Sequence, residues 1–127
     1  MTIDRRMILG AFAASAASGL IAGRAEAAEG DVYVIADLLA KPEAAGEFRQ
    51  MLIDFVAKSR KETGCKHYTL LEDPAKPGHF QTFEIWADKA AIDAHLNSPD
   101  MKAMGPKLKD ILAANPVITP LALISDS

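Results

Sequence analysis

Between residues 31 and 124, β-prone runs and amphipathic segments alternate in an order that restricts the fold more than any other sequence feature. Asp31 to Leu39 is a β-rich run, which we expect to be a strand buried on both sides. Gly64 suits the left-handed turn that ends a helix. The helix before it is predicted over Glu43 to Glu62, because apolar residues recur there in steps of three and four: Ala44, Phe48, Met51, Leu52, Phe55 and Val56.

Further along, the sequence predicts a hairpin and a last strand. The runs 65–72 and 80–86 are β-prone and are separated by a segment dense in turn-forming residues. They therefore predict two paired strands with a long tip. A last β-prone run covers 117–124 and contains Pro120. Because proline cannot donate to a strand ladder, we expect this strand at a sheet edge or at a bulge.

Helical signals fill the interval between the hairpin and the last strand. Asp88 is a suitable N-cap for a helix that carries Ile92 and His95 on one face. Ser98-Pro99 starts a second helical segment, which Gly105-Pro106 should kink. The order is therefore β-α-β-β-α-β. It predicts an α+β fold of the ferredoxin-like split βαβ type, with an open apolar sheet face that a symmetric dimer would cover.

The first 27 residues differ in character from the rest. Arg5-Arg6 precede a mildly apolar run over residues 7–23, and Ala25-Glu26-Ala27 is a small-x-small cleavage pattern. We interpret residues 1–27 as a twin-arginine signal peptide and residues 28–127 as the folded domain. The apolar run falls just short of a spanning helix, so we expect no stable membrane anchor after cleavage; the alternative is an uncleaved membrane anchor. This route predicts a periplasmic location.

Charge and cysteine usage exclude several classes of function. The chain has 127 residues and a formal net charge of −3. Removing residues 1–27 takes away three arginines and two acidic residues and leaves −4. With no basic stripe to neutralise phosphates, we expect no nucleic-acid partner. Cys65 is the only cysteine, so an intramolecular disulfide is impossible, and we expect no metal site and no cofactor.

Several spaced motifs in this region resemble those of the antibiotic biosynthesis monooxygenase family. They are Gly64-Cys65-x-x-Tyr68, then Phe80-x-x-Phe83-Glu84-x-Trp86, then Ala94-His95-Leu96-x-Ser98. The resemblance implies a dimeric α/β-barrel built from two ferredoxin-like subunits, with a pocket between sheet and helices. The family that the chain resembles includes monooxygenases of quinols and phenols, haem-degrading enzymes and isomerases. Neither the asparagine on the first strand nor the histidine on the later helical segment, both typical of the haem-degrading branch, is present, which argues against haem degradation.

Three residues are the candidates for catalysis. His95 lies on an apolar helix face, where it is either a core histidine bonded to a carbonyl or a proton acceptor for a phenol. Glu84 is expensive to bury unpaired, so it either faces solvent at the sheet margin or is a paired pocket group. Trp86 is either core or a ring that stacks on an aromatic ligand. Four further residues are expected to contact the substrate: Tyr68, Phe80, Met101 and Met104.

We therefore expect a cofactor-independent monooxygenase that oxidises a quinol or related phenol with O₂. One alternative is a non-enzymatic periplasmic dimer that binds small aromatic ligands. Another is an isomerase that uses the same acid–base groups. A cofactor loaded in the cytoplasm before export, such as haem, is a further possibility. The sequence alone does not choose among them, because one fold supports many activities.

Overall fold

The computed structural model describes residues 30–125, in which four strands form a sheet. The strands are β1 (Val32–Leu39), β2 (Cys65–Glu72), β3 (His79–Trp86) and β4 (Val117–Leu121). Their order in the sheet is β2-β3-β1-β4, and all neighbouring pairs are antiparallel. This is the strand order of the ferredoxin-like split βαβ fold, so the predicted fold class is confirmed.

The helices are α1 (Ala45–Ser59), α2 (Lys89–Leu96) and α3 (Pro99–Ile111), and a short 3-10 turn (Pro42–Ala44) leads into α1. The predicted end of α1 at Glu62 was wrong by three residues. The backbone N–H of Glu62 donates to the carbonyl of Ser59 at 3.0 Å, so the last turn tightens before the chain reverses into β2. Gly64 then adopts the expected left-handed conformation, with φ of 86°.

The starts of α2 and α3 follow the local chemistry of their caps. Asp88 Oδ1 accepts from the backbone N–H of Ala91 at 2.8 Å, and Ser98 Oγ accepts from that of Met101 at 3.2 Å. Both caps satisfy N–H groups that have no partner within the helix. α3 continues through Gly105-Pro106 as one helix, and a kink there stays a prediction.

All three helices lie on one face of the sheet and contribute to two apolar clusters. The first cluster contains Phe48, Leu52, Phe80 and Ile111, and the second contains Val34, Phe55, Tyr68 and Trp86. Phe48 and Phe80 are almost fully buried and meet edge to face, with ring centroids 5.6 Å apart. Side chains of this kind stabilise the fold by about 1.5–3 kcal/mol each when buried.

The opposite face of the sheet, here called the open face, is only partly covered in the single chain. Val34 and Ala36 of β1 are buried, but Tyr33 and Ile35, which alternate with them, are half-buried. The prediction that β1 is buried on both sides is therefore wrong for one chain, because no helix covers this face. The open face is apolar along β1, β3 and β4, where it carries Tyr33, Ile35, Phe83, Ile85, Val117 and Leu121.

The two outer strands carry features that limit further pairing. β4 pairs only with β1, so Pro120 lies on an edge strand, as predicted. β4 is shorter than expected, ending at Leu121 instead of Ile124. On the other outer strand, β2, the carbonyl of Tyr68 accepts a hydrogen bond from Arg60 Nε at 2.9 Å.

The predicted signal peptide, residues 1–27, lies outside the described residues. No helix within residues 30–125 is long and apolar enough to cross a membrane.

Candidate active site

Three residues of β3 place polar groups on the helix-covered face of the sheet. Thr82, Glu84 and Trp86 alternate with outward residues, so they share this face. The carboxylate of Glu84 is buried and accepts two hydrogen bonds, from Thr82 Oγ1 at 2.6 Å and from Trp86 Nε1 at 2.8 Å. Of the two positions considered for Glu84, the structure shows the paired, buried one.

His95 projects from α2 onto the same group. Its ring centroid lies 4.6 Å from that of Trp86, 5.7 Å from that of Tyr68 and 5.4 Å from that of Phe55. Nδ1 of His95 is 2.7 Å from Oε1 of Glu62. His95 is thus bonded to a carboxylate, not to a backbone carbonyl as in the simplest core histidine.

Tyr68 lies opposite Glu84 on the neighbouring strand β2. Its ring meets the indole of Trp86 edge to face, with centroids 6.2 Å apart. Burial, and then the negative charge of Glu84, hold the pKa of Tyr68 well above its usual range. Tyr68 therefore stays a neutral phenol at physiological pH, able to donate a hydrogen bond but not to act as a base.

Not every predicted substrate-binding residue joins this group. Met101 and Met104 of α3 are half-buried and pack against the cluster that holds Trp86 and Tyr68. Phe80 packs instead in the other cluster, with Phe48. We therefore place Phe80 outside the candidate site, although it faces the same side of the sheet.

The candidate site is closed in this structure. Relative exposures are 0% for Trp86, 4% for Glu84 and His95, and 5% for Tyr68. A surface cleft of about 350 Å³ runs beside β2 and is lined by Tyr68 together with Arg60, Cys65, Lys66, His67 and Thr69. α3 packs Met101 and Met104 against the site but is itself lightly packed, since Ile111 is its only buried residue.

A second polar group lies on the open face, away from the candidate site. His79 Nε2 is 2.7 Å from Asp37 Oδ1, and His79 Nδ1 is 3.4 Å from Asp73 Oδ2. Asp37 also accepts from Gln81 at 2.8 Å. Hydrogen bonds to Asp37 and Asp73 raise the pKa of His79, while bonds from Gln81 and His79 lower the pKa of Asp37. These pairs are partly solvated and link β1, β3 and the hairpin tip.

Sequence reasoning missed Glu62, which completes the site. Glu62 was assigned to the end of a helix, where a charged residue is ordinarily a solvated one. No spacing rule relates it to His95, because the two are 33 residues apart and meet only through the fold. Residues 30–125 contain no cluster of three or more His, Cys, Asp or Glu that could hold a metal ion.

The gathered groups are those that proton transfer at an aromatic molecule requires. An imidazole can accept a proton near neutral pH, a buried carboxylate can balance the resulting charge, and an indole and a phenol can contact a ring.

Comparison with known proteins agrees with this fold. The family model described as "Antibiotic biosynthesis monooxygenase" matches residues 31–107. The chain is 33% identical over 86 residues to the uncharacterized protein sll1783 of Synechocystis, a match that covers 68% of this chain. The chain spans only 58% of the length of sll1783.

Solved structures show the same architecture. PA3566 from Pseudomonas aeruginosa superposes with a TM-score of 0.72 at 28% identity, covering 77% of this chain and 98% of that one. Rv0793 from Mycobacterium tuberculosis gives a TM-score of 0.71 at 28% identity, covering 76% and 98%. The matched residues 31–107 make up most of the folded region and include the residues of the candidate site. The chain therefore belongs to the antibiotic biosynthesis monooxygenase family.

Proposed function

We propose that this protein is a cofactor-independent monooxygenase that oxidises a quinol or a related phenol with O₂. The observation that carries the proposal is the convergence of His95, Trp86 and Glu84 in one buried group beside Tyr68. The family's description as a monooxygenase agrees with this reaction class.

The chemistry requires little beyond these side chains. His95 removes a phenolic proton, and the resulting electron-rich anion reduces O₂ directly. For a simple hydroquinone, one oxygen atom enters the ring and the other leaves as water, giving a hydroxyquinone. The quinol supplies all four electrons, so the balance requires no external reductant. The aromatic walls exclude water from the peroxy intermediate, and the neutral Tyr68 hydroxyl can donate to it.

The substrate needs a route into the closed site. We propose that α3 moves away from the sheet to admit the substrate, because most of its surface is already solvated. Elements with few buried contacts open at the lowest free-energy cost. Met101 and Met104 would then line the opened pocket, where their flexible side chains can adapt to a planar ring.

The test is aerobic turnover of simple hydroquinones by metal-free protein, with ¹⁸O₂ to follow the oxygen atom. We expect oxygen uptake faster than autoxidation and one labelled atom in the product. His95→Ala should lower kcat by roughly 10²–10⁴-fold, the usual contribution of a general base. His67→Ala is the matched control, because it removes an imidazole from the open face.

Uptake no faster than autoxidation and unchanged in His95→Ala would contradict the proposal. Thermal stabilisation by aromatic ligands without any product would instead favour the binding protein. Product formation under strict anaerobiosis would favour the isomerase.

We propose further that the protein acts as a homodimer and that residues 1–27 direct its export by the twin-arginine route. The apolar open face supports the first proposal, since a second subunit would cover it. The paired arginines before an apolar run support the second. Replacing Arg5 and Arg6 by lysine should retain the protein in the cytoplasm, and unchanged export would contradict the assignment.

A further inference from the structure

Glu62 is a charged residue that the proposed chemistry does not yet use. It lies in the turn between α1 and β2, and its Oε1 is 2.7 Å from Nδ1 of His95. The His95 side chain is 4% exposed and that of Glu62 is 24% exposed. The imidazole is therefore inside the domain, and the carboxylate reaches it from the domain surface.

The turn that carries Glu62 is fixed on both sides. The carbonyl of Gly64 accepts from the backbone N–H of Ala87 at 2.8 Å, which ties the turn to the end of β3. A Cβ at Gly64 would lie 2.5 Å from the Cβ of Ala91, so the backbone of the turn is pressed against α2. Ala91 is one helical turn before His95 on α2. The same contact therefore sets the distance between Glu62 and the imidazole.

This contact determines which nitrogen of His95 carries the hydrogen. An ionised carboxylate only accepts hydrogen bonds, so at 2.7 Å Nδ1 must be the donor. In a neutral ring Nε2 is then the unprotonated nitrogen. Within residues 30–125, Glu62 is the hydrogen-bond partner found for this ring, which leaves Nε2 available to a substrate.

We infer that Glu62 is a positioning residue that holds His95 in its Nδ1–H tautomer and presents Nε2 as the proton acceptor. The catalytic part of this inference rests on the proposed function, whereas the tautomer does not. The titratable groups around the ring come from two strands and the turn: Tyr68 on β2, Glu84 on β3, and Glu62. Of these, only Glu62 is within hydrogen-bond distance of the imidazole.

The tautomer can be measured directly by ¹⁵N NMR of the imidazole rings in the full protein. His95→Gln identifies the signals of His95 among the three histidines. We expect a protonated Nδ1 and an unprotonated Nε2 in the wild type at neutral pH. A hydrogen on Nε2 in the wild type, or on both nitrogens, would overturn the inference, and this result does not depend on any variant folding.

Glu62→Ala tests whether the carboxylate is the cause. We expect the Nδ1–H tautomer to lose its dominance in this variant, and added formate to restore it by occupying the vacated position, with chloride at equal ionic strength as the control. Glu47→Gln, an exposed acidic residue in the first turn of α1, is the matched variant and should leave the tautomer unchanged. An unchanged tautomer in Glu62→Ala would overturn the inference.

The activity measurement separates this inference from the proposed function. In Glu62→Ala we expect kcat for a hydroquinone to fall roughly 10- to 100-fold, the size of the loss when hydrogen-bond partners of metal-ligating histidines are removed. KM should change much less, because Glu62 does not touch the substrate. If turnover requires His95 but the Glu62→Ala variant keeps full kcat, only the positioning role is contradicted. If neither the wild type nor any variant turns over a hydroquinone but the tautomer still depends on Glu62, only the proposed function is contradicted.

Discussion

Glu84 shows at the scale of one residue how a buried charge is accommodated. Its two oxygens satisfy the buried donors of Thr82 and Trp86, and the strand spacing alone brings all three side chains to one face. Removing the acceptor leaves two buried donors without partners. Such donors cost about 1–3 kcal/mol each.

Glu84→Ala should therefore lower the free energy of unfolding by about 2–4 kcal/mol. Glu84→Gln should cost less than half of that, because the amide oxygen can accept from Trp86 and the threonine hydroxyl can turn to accept from the amide nitrogen. Urea denaturation of both variants measures the difference. An alanine variant as stable as the wild type would show that these hydrogen bonds do not contribute to stability.

His79 should make stability depend on pH in a defined direction. Its pKa is raised by Asp37 and Asp73, so the protonated form is stabilised by folding. This contribution is complete below the unfolded pKa of about 6.5 and is lost as pH rises through the higher folded value. The lowered pKa values of Asp37 and Asp73 keep both carboxylates charged until well below pH ~4.

The loss of stability in His79→Gln should consequently be larger at about pH 5 than at about pH 8.5. Urea unfolding of the wild type and the variant at both pH values measures this. Asp37→Asn alone should weaken this pH dependence, because His79 then keeps only its longer contact with Asp73, at 3.4 Å. A loss that grows with rising pH would contradict the assignment.

At the scale of elements, the turn from Arg60 to Gly64 decides how α1, α2 and β2 meet. Gly64 has a positive φ, and a side chain there would collide with Ala91. Gly64→Ala should therefore destabilise the fold by about 2–3 kcal/mol. Gly46→Ala is the matched control. A Cβ at Gly46 meets nothing within 4 Å in α1, so this change should stabilise the fold by up to ~1 kcal/mol.

Thermal and urea unfolding of the two glycine variants provide the comparison. If Gly64→Ala is tolerated as well as Gly46→Ala, the turn is not pressed against α2 in solution. The spacing of Glu62 and His95 would then lack the structural cause given above.

Periodicity and local caps were sufficient to predict the elements and their order. The apolar steps of α1, the cap at Asp88 and the edge position of Pro120 each depend on a few neighbouring residues. Phe80 shows where such reasoning ends. The two-residue period places it on the face of Glu84, yet Glu84 is four positions further along the strand, roughly 13 Å away, so Phe80 packs in a different cluster.

The site could be predicted only in part, for a similar reason. The motif spacing named His95, Glu84 and Trp86, and the structure brings them together. Glu62 was missed because its contact arises from the packing of a turn against α2. The end of α1 was misplaced because Gly64 was taken as the residue that closes the helix, whereas the helix ends at Ser59 and the chain tightens into a turn before Gly64.

On the scale of the whole domain, residues 30–125, the open face is an apolar surface that the helices leave uncovered. Leu71, Val117 and Leu121 are 52%, 58% and 44% exposed, and Tyr33 and Phe83 contact each other beside them with ring centroids 6.2 Å apart. Monomeric proteins rarely expose a continuous apolar surface of this kind. We therefore expect two subunits to pack through this face.

Phe83→Glu should convert the dimer to a monomer, because burying an unpaired charge in the interface is costly. Ile53→Glu is the matched control, since Ile53 is exposed on α1 away from the sheet. Sedimentation velocity over a range of protein concentrations distinguishes the two outcomes. A wild-type protein that stays monomeric at all concentrations would exclude the dimer.

The margins of the sheet bear on how such association can proceed. An edge strand with unpaired backbone groups can pair with a strand of another chain and start a fibril. Here Pro120 interrupts the donor row at one margin, and the guanidinium of Arg60 occupies an acceptor at the other. Further strand pairing is therefore disfavoured at both edges of the sheet, whereas the open face stays available for association. We therefore expect assembly to stop at a closed pair, so that the protein can keep an apolar sheet surface without open-ended polymerisation.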